Sequence, residues 1–297
     1  MILSVGEEFL KNAGSQLLWE LRAHRNVLSK MRIASLLSEP RHQDPKSLVK
    51  HGFKVYSQTD EDGIIQEIFR RIGIAKATFV EFGCGNGVEN NTVYLLMQGW
   101  SGLWMDGDPL NIEAIAKPFE PFLKGGTLRL KNAMITRENI NDLLAQEPKE
   151  VDLLSIDIDM NDYWVWGAIE CIQPRVVVIE YNASLRPPGA LVVPYHPDRR
   201  WTGTNFFGAS LSALEKLGAA KGYALVGCGL TGVNAFFVRH DLLAEKFVEP
   251  YTAERHYQPP AYSLFQVEMD SHSPEIGVYK VVTSTSEATK SSNAPSI

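Results

Sequence analysis

The run Thr78-Phe-Val-Glu-Phe-Gly-Cys-Gly-Asn-Gly-Val88 constrains this chain more than any other, because an apolar stretch of β type ends in an acid and then in alternating glycines. Gly83, Gly85 and Gly87 allow positive φ and a close approach of backbone to a ligand, and Glu81 is placed where a carboxylate can meet a cationic or hydroxyl-rich cofactor. The spacing is E-x-G-x-G-x-G. A dinucleotide fingerprint, G-x-G-x-x-G, would need a glycine where this chain has Val88, so the loop departs from the NAD type. The same residues would also serve as a tight turn in any α/β protein.

The sequence beyond the loop favours the ligand-binding reading. Glu89 to Met97 is helix-like, Gly99 closes it, and Gly102-Leu-Trp-Met-Asp106 reads as a second strand ending in an acid. Asp106 lies near the spacing of roughly 20 residues at which such units set a carboxylate against ribose hydroxyls. Asp108 competes for the role, and Asp106-Gly-Asp-Pro109 is itself good turn chemistry.

The alternation continues. The pattern predicts helices at 61–72, 89–98, 109–118, 136–146, 162–171 and 208–220 and strands at 78–82, 102–106, 127–131, 151–157, 175–181, 223–228 and 233–239. Such order implies an α/β, Rossmann-like fold: a mostly parallel sheet with helices on both faces and an antiparallel edge hairpin. Residues 183–207 read as a long loop. Spaced apolar residues from Gly6 to Leu37 predict an N-terminal helical extension, which would cover a sheet face, cap a cleft or support a homo-oligomer, the first being preferred. Residues 39–47 read as a linker, 241–282 as a C-terminal elaboration and 283–297 as a disordered tail.

Composition narrows the function. With 297 residues, 44% hydrophobic and 22% charged, the chain has the make-up of an ordinary globular protein. A net charge of −6 argues against nucleic acid as a partner. The three cysteines, Cys84, Cys171 and Cys228, are odd in number and form no C-x-x-C pair, so neither a disulfide framework nor a zinc knuckle is expected. The absence of a signal-like N-terminus or a membrane-length apolar stretch completes the expectation of a cytoplasmic protein.

Ligands of open α/β sheets bind at the carboxyl ends of the strands. Two predicted strands end in acids there, one in Asp157-Ile-Asp159-Met-Asn-Asp162 and the other in Glu180-Tyr-Asn182. Neighbouring strand tips would bring Asp157, Asp159, Glu180 and Asn182 together as hard oxygen ligands suited to Mg²⁺ or Mn²⁺. The competing reading has Asp157 and Asp159 as caps of the following helix.

Taken together, Tyr56-Ser-Gln-Thr-Asp-Glu-Asp-Gly63, the glycine loop, Gly99-Trp-Ser-Gly-Leu103 and Asp157-Ile-Asp-Met-Asn-Asp162 resemble the FkbM-type family of S-adenosylmethionine-dependent methyltransferases. The resemblance covers residues 54–240. It implies O-methylation of a hydroxyl on a sugar-containing acceptor, with S-adenosylmethionine contacted by Gln58, Glu81, Gly83, Gly85, Asp106 and Asp157. Met160 departs from the family's usual glycine, which puts the turn after Asp159 in doubt. A hydroxyl must lose its proton to attack a methyl group, and His196, Asp159 and Glu180 are the candidate bases unless a metal acidifies it. Tyr163, Trp164, Trp166, Tyr195 and Trp201 are available to pack on a sugar face, some of them as ordinary core. Two rivals stand beside this reading: a nucleotide-dependent oxidoreductase, which Val88 disfavours, and a non-catalytic cofactor-binding protein.

Overall fold

The computed structural model describes the backbone of residues 2–265 and 279–283, with side chains from residue 13 onward. From residue 284 on, the predicted tail lies outside the described residues. In chain order the elements are α1 (Ile2–Leu37), α2 (Glu61–Ile72), β1 (Thr78–Phe82), α3 (Val93–Met97), β2 (Ser101–Asp106), α4 (Pro109–Ala116) and α5 (Glu120–Lys124). They continue with β3 (Leu128–Asn132), α6 (Ile140–Leu143), β4 (Leu153–Ile156), α7 (Asp162–Ala168), β5 (Val176–Glu180) and β6 (Leu191–Val192). Last come α8 (Leu211–Ala220), β7 (Tyr223–Cys228), β8 (Asn234–Arg239), α9 (Ala253–His256) and β9 (Lys280–Val281).

Seven strands form one sheet in the order β3-β2-β1-β4-β5-β8-β7. The first five are parallel, and β8 runs antiparallel to both β5 and β7. This is the expected Rossmann-like fold with its edge hairpin. The two faces bury different sets of the same strands' residues: Val80, Phe82, Leu154, Ile156, Val177 and Ile179 on one side, and Phe79, Trp104, Leu153, Val176 and Val178 on the other. Burial on both faces explains why these strands are continuously apolar. The strand order reverses between β1 and β4, so a crevice opens there at their carboxyl ends.

Several boundaries move for identifiable reasons. Helix α3 starts at Val93 rather than 89 because Glu89 has φ +74° and Asn91 and Thr92 bond to the Glu81 carboxylate. The predicted helix 136–146 contracts to α6 as Asn139 turns back to accept from the Thr136 amide. Within the long loop, Leu191 and Val192 pair with β9, and the predicted linker contains a short 3-10 turn at Pro40–His42. Helix α1 does not cover the sheet. Among the described residues its apolar packing on the body comes from Ile33, Leu36 and Leu37, near its end, against Val49, Leu230 and Leu264.

Candidate active site

Gly83 and Gly85 do different jobs. Gly83 has φ +69°, and a Cβ there would fall 1.6 Å from the Asp157 carbonyl oxygen, so its bareness lets the tips of β1 and β4 close on each other. Gly85 has φ +49° with nothing within 4 Å of a built Cβ, and therefore faces open space. Its amide donates to Asp106 Oδ2 at 2.8 Å, while Asp106 Oδ1 accepts from the Asp108 amide and Asn111 Nδ2. Asp108 instead caps α4, accepting from the Leu110 amide. Asp106 faces the glycine loop and Asp108 caps a helix end, and both line the same cleft.

Glu81 is buried, and its oxygens accept from the amides of Asn91 and Thr92 and from Thr92 Oγ1. Burial raises its pKa, and those hydrogen bonds oppose the rise. Its carboxylate holds the start of α3 in place and forms part of the wall behind the glycine loop.

Two clefts meet at Gly83, Gly85 and Asp157. The larger, about 490 Å³, runs over Asp106 and Asn111 to Met134 and Ile135, and Arg199, Arg200 and Trp201 of the long loop wall its far side. The smaller, about 160 Å³, lies between the glycine loop and Gln58 and is lined by Glu81, Asn90, Asn91 and Asn234. A bridge between Ser57 and Glu89 and a 2.9 Å ion pair from Lys54 to Glu89 hold the Gln58 segment against the loop. Two polar atoms of this smaller chamber are buried without a partner: Asn90 Nδ2, a donor, and Asn234 Oδ1, an acceptor. Asn234 Nδ2 is committed to Glu61 Oε1, which fixes the amide's orientation. An unpaired amide donor and an unpaired amide acceptor together suit a ligand carrying both an anionic and a cationic end.

Asp157, Asp159 and Glu180 each bring a carboxylate oxygen within 4.8 Å of the other two. Burial, and then the neighbouring Asp159 charge, hold Asp157 well above the usual carboxylate range. Glu180 is raised by burial and then by Asp157, and Asp159 by burial. Glu180 Oε2 is buried and unpartnered. Neither Asp157 nor Asp159 caps α7, whose N-cap is Asn161 without a side-chain cap bond; Asp162 Oδ1 instead closes the turn before the helix by accepting from the Ile158 amide at 2.8 Å, and burial lifts its pKa to about 7. Asp159 itself carries the positive φ, +65°, so the turn needs no glycine at the next position, and Met160 packs with Val193 and Phe207. The concern attached to Met160 thereby disappears.

Two predicted site residues are placed elsewhere. Asn182 is fully buried and committed to the loop: its Nδ2 donates to the carbonyls of Asn205 and Phe207, and its Oδ1 accepts from the Ser184 amide. Both of its polar atoms are thus engaged by the loop. His196 is exposed and outside the cleft lining, with Nδ1 accepting from the Asp198 amide and its carbonyl held by Asn161 Nδ2. Of the aromatic residues, Tyr163, Trp164 and Trp166 are core, while Trp201 lines the cleft. Asn90, Asn111, Asn234 and Ile135 carry no local motif. Only the pairing of Glu180 with Asn234 across β5 and β8 brings Asn234 to the site.

The chain has a Rossmann-like α/β fold. Its structure is similar to a candidate sarcosine dimethylglycine methyltransferase from Galdieria sulphuraria, with 15% identity, a TM-score of 0.32 and coverage of 40% of this chain and 45% of that one. It is also similar to StiE O-MT, with 14% identity, a TM-score of 0.34 and coverage of 55% and 51%. The chain thus spans about half the length of these two. A TehB-like SAM-dependent methyltransferase from Corynebacterium glutamicum is matched over 65% of this chain and 92% of that one, with 15% identity and a TM-score of 0.36. No protein-family model matches the sequence, and no curated protein matches it. Among the described residues no helix is long and apolar enough to cross a membrane.

Proposed function

We propose that this chain is an S-adenosylmethionine-dependent O-methyltransferase of FkbM type acting on a hydroxyl of a sugar-containing acceptor. The observation that carries the reading is the pair of clefts joined at Gly83, Gly85 and Asp157. The larger offers Asp106 to ribose hydroxyls and the apolar Met134 and Ile135 to a base. In the smaller, the unpartnered donor of Asn90 and acceptor of Asn234 suit the carboxylate and ammonium of an amino acid. A nucleoside joined to an amino acid satisfies both chambers, whereas a nicotinamide dinucleotide has no ammonium for Asn234.

Bound there, the cofactor supplies an electrophilic methyl group on a sulfonium. Asp157 closes the junction of the two clefts, and Arg199 and Trp201 wall the acceptor side. The Asp157, Asp159 and Glu180 oxygens, with Glu180 Oε2 unpartnered, fit a hard divalent cation. Mg²⁺ or Mn²⁺ held by these three would supply Lewis acidity that eases loss of the hydroxyl proton. Without it, Asp159, the exposed member of the group, is the base best placed to take that proton, and its raised pKa suits the task.

Calorimetry with S-adenosylhomocysteine and with NAD tests the cofactor. Binding of the first alone is expected, and tight NAD binding without a response to S-adenosylhomocysteine overturns the reading. Methyl transfer to neutral and acidic monosaccharides and their glycosides, before and after chelation, then tests acceptor and metal. Transfer that persists undiminished after exhaustive chelation rules out the metal's part.

A further inference from the structure

Thr59, Asp60 and Glu61 tie the segment beside the glycine loop to the β7–β8 hairpin through buried side chains. Thr59 Oγ1 lies 3.0 Å from Thr231 Oγ1, and Asp60 Oδ2 accepts from the Leu230 amide at 2.9 Å. Glu61 stands at the centre of this crossing. Its Oε2 accepts from the Thr59 amide at 2.7 Å, and its Oε1 accepts from Thr59 Oγ1 at 2.7 Å and from Asn234 Nδ2 at 3.0 Å. Burial of Thr59, Glu61 and Asn234 keeps solvent from competing for these bonds, so each donor must find its acceptor within the group.

An ionised carboxylate accepts and never donates, so the Asn234 amide can turn only its Nδ2 toward Glu61. Its Oδ1 is thereby left as the unpartnered acceptor of the smaller chamber. A glutamine in place of Glu61 would have a single acceptor oxygen. The Thr59 amide is backbone and cannot turn, so it claims that oxygen, and the glutamine's Nε2 then points at Asn234. Asn234 must flip to meet it, which sets an N–H donor where the chamber now has an acceptor. The acceptor-only character of residue 61 thus decides whether the chamber receives a cation. Resting on the reading of that chamber as the seat of an amino-acid end, we propose that Glu61 is the positioning residue for the cofactor's ammonium. It lies outside the chamber lining and acts by holding Asn234 Oδ1 toward the ligand.

Calorimetry of the full chain with two probes tests this: S-adenosylhomocysteine, which carries the amino-acid end, and 5′-methylthioadenosine, which lacks it. Glu61→Gln should weaken the first by about tenfold or more, the scale of one hydrogen bond to a charged group, and leave the second within about twofold. Combining Glu61→Gln with Asn234→Asp pairs every donor again, because the glutamine's Nε2 meets the new carboxylate and the second oxygen of that carboxylate faces the chamber. The double variant should therefore bind S-adenosylhomocysteine within about threefold of the wild type, and it carries the test where the single variant fails to fold. Asn234→Asp alone sets two carboxylates against each other and should lower the unfolding midpoint, which the double variant recovers. Equal losses for both probes in Glu61→Gln, or undiminished binding of S-adenosylhomocysteine there, overturns the proposal. So does a double variant that fails to fold, or one that binds 5′-methylthioadenosine without S-adenosylhomocysteine. Wild-type protein that binds neither probe overturns the proposed cofactor itself, and the role of Glu61 with it.

Discussion

Replacing Glu180 with glutamine should stabilise the metal-free protein and abolish its response to a divalent cation. Its carboxylate oxygen lies within 4.8 Å of those of Asp157 and Asp159. At that separation and an effective dielectric of about 20, each ionised pair repels by about 3.5 kcal/mol. Asp159 is exposed, so solvent screens its share, and protons retained by the group relieve more. A net gain of about 2 kcal/mol remains for Glu180→Gln at neutral pH, a rise in the unfolding midpoint of roughly 4–8 °C. Raised carboxyl pKa values mean that the native state binds more protons than the unfolded chain. The associated stability is therefore complete below the ordinary carboxylate range, near pH 4, and is lost as pH rises through the elevated native values, about 7 for Asp162. The metal-free wild type should weaken across that window, and the variant should weaken less. Mn²⁺ at a hundred times its dissociation constant should add about 2.7 kcal/mol to the wild type and far less to the variant. Differential scanning fluorimetry across pH, with and without Mn²⁺, reads all of this. A variant less stable than the wild type without metal, or one that gains equally from Mn²⁺, would refute the reasoning.

Further outcomes follow from the same geometry. Gly83→Ala should fail to fold or unfold at much lower temperature, since its Cβ would overlap the Asp157 carbonyl, whereas Gly85→Val should keep a cooperative unfolding transition and lose S-adenosylhomocysteine binding. Asn90→Ala removes a buried donor that has no partner in the protein, so it should not lower stability and should weaken S-adenosylhomocysteine binding about tenfold by calorimetry. His196→Asn should change the methyl-transfer rate by less than about threefold. A loss in the general-base range of roughly 10²–10⁴ would return that histidine to the chemistry.

The alternation of strands and helices, the glycine loop and the acids at strand tips were legible in the sequence because each depends on neighbours within a few residues. Period and turn chemistry are local, so the strand from Thr78 to Phe82, the helix from Glu61 to Ile72 and the edge hairpin stand where the pattern put them. The grouping of Asp157 and Asp159 with Glu180 was legible too, once parallel neighbours were inferred from the order of elements. What the side chains do at the site was decided by tertiary contacts. Asn182 turned inward because the carbonyls of Asn205 and Phe207 arrive from the far end of a long loop. His196 was left outside because that loop folds Arg199, Arg200 and Trp201, not the histidine, onto the cleft. Asn234 reaches the smaller chamber only through strand pairing with Glu180, across more than fifty residues of chain. A sequence pattern specifies which way a residue faces on its own strand or helix; which distant groups satisfy it depends on how the whole sheet brings its loops together, since a buried polar atom can pair only with what the fold or a ligand delivers.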